Sequence, residues 1–361
     1  MQVFNFGAGP AMLPPTVMEK VQKDFLNFAG LGVSIIELSH RSPEFVKLLQ
    51  DTKSLLRKLT KIDDKYEILF VHGGARMQFA AIPLNLMSIG KSGKAFYCET
   101  GNFAQLAYKE ACLIGNAEVL CSGKENNFDR IPDFPKEVDR GASYIHLTSN
   151  NTIYGTTWQK YPDTGEVPLV VDGTSDMLSR EIDYSKFGLY YAGLQKNLGP
   201  SGLAVVIVRK DLLGNQTKQC PTLLNYEDMA KNDSLTNTTN TFAIYVMKQV
   251  LDWVAEQGGV KQVEEVNKAK AKILYDILDE SQDFYRPFAH KDHRSIMNVT
   301  FNLPSESLQS DFITEANTNG LYALKGHRKV GGIRASIYNG MPKEGVEKLA
   351  QFMLSFEKKH R

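Results

Sequence analysis

The stretch YYAGLQKNLGPSGLAVVIV, residues 190–208, decides the fold. It predicts an aromatic strand, a glycine-rich turn and a second apolar strand, with Lys196 just beyond the first strand. Both strands are apolar without interruption, which is typical of strands that helices cover on both faces. The stretch therefore predicts a layered α/β fold with a mainly parallel sheet.

Further short apolar runs extend this sheet toward the N-terminus. They are YEILFVHGGA (66–75), KAFYCETG (94–101), AEVLC (117–121), SYIHLTSN (143–150) and VPLVVDGT (167–174). Most of these runs end in small or polar residues, and ligands of open α/β sheets bind beyond the carboxyl ends of the strands. We therefore expect the functional side chains at those strand ends.

The sequence changes in character near residue 260. A long polar helical stretch is followed by two short strand-like runs and a terminal amphipathic segment from Pro342 to Lys359. We expect a large domain over residues 16–260 and a smaller α+β domain over residues 261–361. In the terminal segment a 3.6-residue period predicts a core-facing stripe. That stripe comprises Val346, Leu349, Ala350, Met353 and Leu354.

Composition excludes several classes of partner. The 361 residues include 42 lysines and arginines against 41 aspartates and glutamates, a net charge of +1. Such a balance gives no overall basic field that would attract nucleic acid or an anionic membrane. The longest uncharged apolar run, Leu203 to Val208, is far shorter than the ~20 residues of a membrane helix, and the start of the chain lacks a signal-peptide pattern. A cytoplasmic location is expected.

The cysteine spacing matches neither a redox pair nor a zinc site. Cys98, Cys112, Cys121 and Cys220 form no CxxC motif. We expect reduced, mostly buried thiols and no metal site.

Lys196 and Asp172 are the candidate catalytic pair. A lysine at a strand end is usually solvated, but Lys196 lies between strands that are predicted to be buried and before a turn that lets a ligand approach the backbone. A desolvated lysine becomes an amine nucleophile, and Asp172 ends another predicted strand. Pyridoxal phosphate needs both groups, one for its aldehyde and one for its ring nitrogen. Asp172 alone is equally consistent with a turn-forming aspartate.

Two further segments offer sites for anions. VHGGARMQFAAIPLNL (71–86) predicts a strand, a glycine turn and a helix N-terminus, which can hold a phosphate, although Gly73 and Gly74 are also consistent with a simple tight turn. Asn237 and Thr238 precede another helix and are either ligand donors or helix caps.

Four basic clusters remain. They are His40-Arg41, Arg76, His327-Arg328 and Arg334. Singly, each arginine is best explained as a surface or salt-bridge residue. Together they would suit a ligand with two anionic ends, since guanidinium groups pair with carboxylates and phosphates.

Six motifs together match one known family. They are NFGAGPAMLP (5–14), ELSHRSPEF (37–45), FVHGGARMQFAAIPLNL (70–86), DGTSDMLSREID (172–183), YAGLQKNLGPSGL (191–203) and ALKGHRKVGGIRASIYN (323–339). With them the chain resembles, end to end, the phosphoserine aminotransferase family of fold-type I, class V pyridoxal-phosphate enzymes. The resemblance implies a seven-stranded sheet in the large domain and an N-terminal segment, residues 1–15, that packs near the active site and the small domain. It also implies one pyridoxal 5′-phosphate per subunit and a homodimer with active sites at the subunit interface.

The resemblance implies roles for individual residues at the cofactor. Lys196 would form the internal aldimine and move the proton between substrate and cofactor, and Asp172 would pair with the pyridinium nitrogen. Phe103 stands where the family commonly has a tryptophan stacked on the ring, and Ala75 stands where a third glycine is common, which requires a φ open to a residue with Cβ. The other contacts would come from Ala75, Arg76 and Gln195 at the phosphate, Thr152 near the ring oxygen, and Asn237 and Thr238 of the second subunit.

The resemblance also implies the substrates. Arg334 would bind the substrate α-carboxylate. The distal phosphate of phosphoserine, or the side-chain carboxylate of glutamate, would be surrounded by His40, Arg41, Arg76, His327 and Arg328. The reaction would transfer an amino group reversibly between L-glutamate and 3-phosphohydroxypyruvate, giving O-phospho-L-serine and 2-oxoglutarate in serine biosynthesis.

Related activities stay open at this stage. The family also forms 4-phosphohydroxy-L-threonine in pyridoxine biosynthesis, and the sequence does not decide whether this chain does. A class V lyase such as a cysteine desulfurase needs a mobile catalytic cysteine, and no cysteine here lies in a suitable glycine-rich loop. A non-catalytic phosphometabolite-binding protein would not need the intact Lys196 and Asp172.

Overall fold

The computed structural model describes residues 2–361 as an α/β chain. The strands are β1 (Phe4–Asn5), β2 (Tyr66–His72), β3 (Lys94–Glu99), β4 (Asn116–Ser122), β5 (Tyr144–Thr148), β6 (Asn150–Asn151), β7 (Thr156–Thr157), β8 (Leu169–Asp172), β9 (Leu189–Gly193), β10 (Leu203–Arg209), β11 (Arg286–Pro287), β12 (Asn298–Asn302), β13 (Leu321–Tyr322) and β14 (Ile333–Ser336). The α-helices are α1 (Pro15–Asp24), α2 (Pro43–Thr60), α3 (Gly74–Leu86), α4 (Asn102–Ile114), α5 (Tyr226–Lys231), α6 (Thr241–Glu256), α7 (Val260–Glu280), α8 (Glu306–Thr318) and α9 (Lys343–His360).

The central sheet has seven strands in the order β2-β10-β9-β8-β5-β3-β4. All neighbouring pairs are parallel except those of β10, which runs antiparallel to both β2 and β9. Each of the seven apolar runs in the sequence overlaps one of these strands. The predicted fold class, an α/β fold with a mainly parallel seven-stranded sheet, is confirmed.

Helices cover both faces of this sheet because alternate strand residues point to opposite sides. On one face Ile68, Phe70 and their neighbours pack against α1, α2 and α6. On the other face Leu69, Val71 and their neighbours pack against α3 and α4. The inner strands are therefore buried on both sides, which explains their uninterrupted apolar sequence.

A separate hydrophobic cluster lies in the C-terminal part of the chain. It is formed by α7, α8, α9 and the antiparallel sheet β11-β12-β14, together with Phe4 and Phe6 from the N-terminus. β1 pairs in parallel with β13, so the first residues of the chain belong to this cluster.

The terminal helix α9 differs from its predicted stripe at one residue. Val346, Leu349, Ala350 and Met353 are buried, but Leu354 is 55% exposed. Leu354 follows Met353 directly, so it lies about 100° further round the helix, and Phe356 takes the expected place in the core. The assignment of Leu354 to the core was wrong.

The cysteines also differ from expectation. All four are free thiols, but only Cys98 is buried; Cys112 is exposed, and Cys121 and Cys220 are partly exposed. The prediction of mostly buried thiols was therefore wrong: Cys121 lies on the edge strand β4, Cys112 on α4 and Cys220 in a loop, and each is at least partly open to solvent. Separately, none of the helices within residues 2–361 has both the length and the apolar character needed to cross a membrane.

A buried lysine ties α7 to the segment after β14. Lys270 is fully buried, and its Nζ donates to the backbone oxygens of Ile337 at 3.1 Å, Tyr338 at 2.8 Å and Met341 at 2.9 Å. One helix turn earlier, Asn267 donates to the side-chain oxygen of Asn339 at 2.8 Å. These hydrogen bonds from α7 hold in place the segment that follows Arg334.

Lys270→Met is expected to lower the free energy of unfolding by roughly 3 kcal/mol, since three buried carbonyls lose their donor. Chemical denaturation followed by circular dichroism measures the change. Lys272→Met, on the exposed face of the same helix where Lys272 pairs only with Asp276, is the matched control and should change stability by less than about 0.5 kcal/mol. Equal effects of the two substitutions would contradict this role for Lys270.

Candidate active site

A cavity of about 340 Å³ opens at the carboxyl ends of the parallel strands. Such a volume lies in the usual range for small-molecule sites. The lining residues come from the loops after β2, β3, β5, β8 and β9 and from the N-terminal segment: Gly9, Pro10, Gly73, Gly74, Ala75, Arg76, Phe79, Phe103, Thr148, Asn150, Thr152, Asp172, Thr174, Ser175, Gln195, Lys196, Ser201 and Gly202. The cavity thus lies where the sheet topology predicts a ligand.

Lys196 is buried in this cavity rather than solvated. Its side chain is held in the loop after β9, and its Nζ donates a hydrogen bond to Thr152 Oγ1 and lies 5.4 Å from the centre of the Phe103 ring. Burial lowers the pKa of Lys196 to about 8, a shift that Asp172 opposes and Arg334 reinforces. Around neutral pH a useful fraction of this amine is therefore unprotonated and nucleophilic.

Asp172 ends β8 on the floor of the same cavity and is 4% exposed. Its Oδ1 accepts hydrogen bonds from the backbone N–H of Thr174 at 3.0 Å and from Thr174 Oγ1 at 2.5 Å. Burial raises the pKa of Asp172, and these hydrogen bonds and Lys196 act against that rise. Asp172 is therefore both the turn-forming residue of one interpretation and a buried carboxylate facing Lys196.

The glycine turn after β2 forms a cradle at the start of α3. Gly73 has φ +81°, and a Cβ added there would lie 2.6 Å from Met77 Cβ, so this position requires glycine. No side chain among residues 2–361 caps α3, which leaves its first backbone N–H groups pointing toward the cavity mouth. Ala75 lies within the first turn of α3 and is not among the residues with positive φ, so the conformation that its Cβ requires is present.

Gln195 and Phe103 also reach the cavity. Gln195 and Ala75 both lie close to Gly193, because a Cβ placed on Gly193 would contact the side chains of both residues. Phe103 lies at the start of α4, on the wall of the cavity. The structure thus brings together Lys196, Asp172, Ala75, Arg76, Phe103, Thr152 and Gln195 of the predicted cofactor contacts.

The predicted substrate residues are only partly assembled within one chain. Arg76 lines the cavity, and its guanidinium lies 4.0 Å from Glu110 Oε1. Arg334 is half-buried in β14, and its Nε has no partner within residues 2–361; its positive charge influences both Lys196 and His327. Burial lowers the pKa of His327, and the charges of Arg334 and Arg328 lower it further. These three basic groups therefore lie near one another.

His40 and Arg41 do not line the cavity of their own chain. They lie in the turn before α2, where Arg41 is exposed and His40 is half-buried, with no partner for its Nε2 in the described part of the chain. Asn237 lines a neighbouring apolar cavity of about 320 Å³, and Thr238 is exposed. Neither residue caps a helix, because Asn240 caps α6 by accepting a hydrogen bond from Ala243 N–H. The capping interpretation of Asn237 and Thr238 was wrong.

Several residues of the cavity were not predicted from the sequence. Thr148 and Asn150 follow β5, and Thr148 lies beside Asp172 in the register of β5 and β8. Gly9 lies beside Lys196, where a Cβ would be 3.4 Å from Lys196 Cγ. The polar end of the run SYIHLTSN was a usable signal for Thr148 and Asn150, and the resemblance had already placed the N-terminal segment that contains Gly9 near the active site.

Comparison with known proteins identifies the class. A family model described as Aminotransferase class-V matches residues 3–349, and the chain belongs to this family.

Several individual relatives are phosphoserine aminotransferases. The chain is 49% identical over 361 residues to the phosphoserine aminotransferase of Bacillus cereus, covering 100% of this chain and 99% of that protein. It is 48% identical, over the same shares of both chains, to the phosphoserine aminotransferase of Halalkalibacterium halodurans. Among solved structures, phosphoserine aminotransferase from Bacillus circulans subsp. alkalophilus superimposes with a TM-score of 0.96 at 44% identity, covering 100% of this chain and 99% of that one. The structure of PLP-bound phosphoserine aminotransferase from Trichomonas vaginalis matches with a TM-score of 0.91 at 33% identity, covering 98% and 100%.

The cavity fits pyridoxal phosphate on its own geometry. A buried amine, a buried carboxylate and an uncapped helix N-terminus match the aldehyde, the ring nitrogen and the phosphate of this cofactor. Thr148 Oγ1 is buried beside Asp172 with no protein partner among the described residues, as expected of a wall that faces a polar ligand.

Proposed function

We propose that the chain is a pyridoxal-phosphate-dependent phosphoserine aminotransferase. It transfers an amino group reversibly between L-glutamate and 3-phosphohydroxypyruvate, giving O-phospho-L-serine and 2-oxoglutarate. The observation that carries the proposal is the buried Lys196, with its lowered pKa, on the same cavity as the buried Asp172. The full-length likeness to phosphoserine aminotransferases supports the choice of substrates.

Each residue of the cavity has a separate role at the cofactor. Pyridoxal phosphate, when bound, supplies a ring that withdraws electrons from the bond broken at the substrate Cα. Asp172 holds the ring nitrogen, the N-terminus of α3 with Gln195 and Arg76 holds the phosphate, and Phe103 packs on the ring face. Lys196 attaches the cofactor through its amine and afterwards carries the proton to and from the substrate Cα.

The substrates require two separate anion sites. Arg334 binds the α-carboxylate, which both amino acids share, because its positive charge acts on Lys196 and its buried Nε has no hydrogen-bond partner among the described residues. The phosphate of phosphoserine and the side-chain carboxylate of glutamate take turns at His327, Arg328 and Arg76. Flexible basic side chains suit this exchange, because each pairs with either kind of anion.

The active enzyme is proposed to be a cytoplasmic homodimer. His40, Arg41, Asn237 and Thr238 do not reach the cavity of their own chain, and in a dimer they would complete the site of the partner. Exposed apolar side chains near these residues, among them Ile36 and Leu223, support a subunit contact on this side.

A coupled assay tests the function directly. The purified holoenzyme is given O-phospho-L-serine and 2-oxoglutarate, and glutamate formation is followed with glutamate dehydrogenase, with L-aspartate and L-alanine as alternative amino donors. We expect turnover with phosphoserine that exceeds turnover with either alternative by at least about a hundredfold, the value of one lost charge-assisted anion contact. Faster turnover with aspartate or alanine would reject the proposed substrate. A protein that stays colourless after addition of pyridoxal phosphate would reject the enzyme class.

A further inference from the structure

A buried polar chain runs behind Asp172 through two neighbouring strands. Tyr191 of β9 pairs in register with Asp172 of β8, so the two side chains lie on the same face of the sheet, and burial together with the nearby Asp172 carboxylate raises the pKa of the Tyr191 hydroxyl. The same hydroxyl lies 3.0 Å from Nε2 of His146 on β5. All three side chains are less than 5% exposed, so water does not compete for these contacts.

The direction of the hydrogen bonds in this chain follows from His146. Burial lowers its pKa to about 3, so the imidazole is neutral and carries a single proton. Its Nδ1 is buried without a partner among the described residues, and a buried N–H left unpaired is rarer than an unpaired acceptor. The proton therefore resides on Nε2, which donates to the Tyr191 hydroxyl.

The Tyr191 hydroxyl can in turn act as a donor toward the Asp172 carboxylate. Burial raises the pKa of Tyr191 far above its usual value, and the negative charge of Asp172 raises it further, so the hydroxyl keeps its proton. With its oxygen accepting from His146, its single O–H is available to donate to Asp172. The ring of His146 is fixed by stacking on Tyr97, at 4.9 Å between ring centres and 24° between planes.

We propose that Tyr191 and His146 are positioning residues that keep the Asp172 carboxylate ionised and oriented toward the ring nitrogen of the cofactor. The inference rests on the proposed function, since it assigns these residues to a bound pyridoxal phosphate. Burial alone would favour a neutral carboxylic acid at this position, which could not hold a protonated ring nitrogen. Thr174 already supplies two donors to Oδ1, and the Tyr191 hydroxyl on the neighbouring strand would add a third.

Charged neighbours do not make this third donor redundant. Lys196 lowers the pKa of Asp172, but Asp176 raises it, and attachment of the cofactor to Lys196 consumes the amine whose charge helps. A hydrogen bond donated by Tyr191 would persist after the cofactor is attached. Hydrogen bonds in series polarise one another, so His146 strengthens the donor it contacts.

Tyr191→Phe tests the proposal, because it removes the hydroxyl and keeps the ring. We expect the apoprotein to bind pyridoxal phosphate about tenfold more weakly, as measured by fluorescence titration. We also expect the pH at which the visible absorbance of the holoenzyme changes to shift toward the value shown by Asp172→Asn. A merely structural role for Tyr191 would not move that spectroscopic midpoint.

Tyr144→Phe is the matched control. Tyr144 is equally buried on the same face, and its hydroxyl bonds Tyr97 at 2.7 Å, outside the chain that ends at Asp172. Both readouts should stay within about twofold of wild type. If Tyr191→Phe and Tyr144→Phe behave alike in both readouts, the proposal is overturned.

A second substitution tests whether His146 acts through Tyr191. His146→Leu should weaken cofactor binding in the wild-type background and add little in the Tyr191→Phe background, since His146 acts through Tyr191. Fully additive effects would overturn the role of His146. Should wild-type apoprotein fail to bind pyridoxal phosphate at all, the proposed function fails. Wild-type binding with an unaffected Tyr191→Phe variant rejects this inference alone.

Discussion

Lys196→Ala is expected to lower kcat for phosphoserine and 2-oxoglutarate by at least about a thousandfold. The substitution removes both the amine that attaches the cofactor and the group that moves the proton at the substrate Cα. The cavity wall around it stays intact, so pyridoxal phosphate should still bind through the helix N-terminus and Asp172. Steady-state assays and equilibrium dialysis with the cofactor measure the two quantities separately.

Lys53→Ala is the control for loss of a buried amine. Lys53 is 8% exposed on α2 and pairs with Asp233, away from the cavity. Its replacement should lower stability but leave kcat per folded molecule within about threefold of wild type. Activity of Lys196→Ala within tenfold of wild type would show that another group performs the proton transfer.

The lowered pKa of Lys196 gives this prediction a pH dependence. The free amine attacks the cofactor aldehyde, and its fraction rises as pH increases through about 8, the pKa of Lys196 in the folded protein. The rate at which apoprotein takes up pyridoxal phosphate should therefore increase with pH from 6 to about 9 and then level off. Stopped-flow absorbance measures this rate. A midpoint near the ordinary lysine pKa would show that burial does not tune the amine.

Arg334→Ala and Arg328→Ala are expected to separate the two anion sites. Arg334→Ala should lower kcat/KM by about a hundredfold for both phosphoserine and glutamate, because both lose the α-carboxylate contact. Arg328→Ala should weaken phosphoserine more than glutamate, because a phosphate carries more charge than a carboxylate. Half-reactions of the holoenzyme with each amino acid, followed by absorbance, measure the four values.

Arg286→Ala is the control for loss of an arginine from the same small sheet. Arg286 is exposed in β11 and contacts the backbone oxygen of Asp283. Its replacement should leave both half-reactions within about twofold of wild type. Equal losses for both substrates in Arg334→Ala and Arg328→Ala would contradict the division of roles.

The sequence predicted the parts of the site that lie on the strand ends. Lys196 and Asp172 were found because each follows an apolar run, and the parallel topology brings those ends to one edge. The glycine cradle was found for the same reason. The resemblance added Phe103, Thr152 and Gln195, whose side chains do line the cavity. Their roles as ligand contacts, like the domain boundary at residues 260–261, stay predictions.

Contacts that depend on the order of the strands in the sheet could not be predicted from the sequence. Tyr191 and His146 are 45 residues apart and meet only because β8 lies between β5 and β9. β10 looked like the other apolar strands, and the short Gly-Pro-Ser-Gly turn before it makes it antiparallel to β9. The placement of the basic residues likewise depends on the small sheet β11-β12-β14 that carries Arg334, which no local pattern in the sequence encodes.

The N-terminal residues have a consequence for handling the protein. Ala11 N–H donates to the backbone oxygen of Gln195 at 2.9 Å, and the Tyr338 hydroxyl donates to the backbone oxygen of Ala8 at 2.9 Å. Residues 8–11 thus bridge the loop of Lys196 and the segment after Arg334. An affinity tag or fusion partner at the N-terminus would be attached only a few residues from this bridge. The exposed Arg361, at the end of α9, is the better point of attachment for immobilisation or labelling.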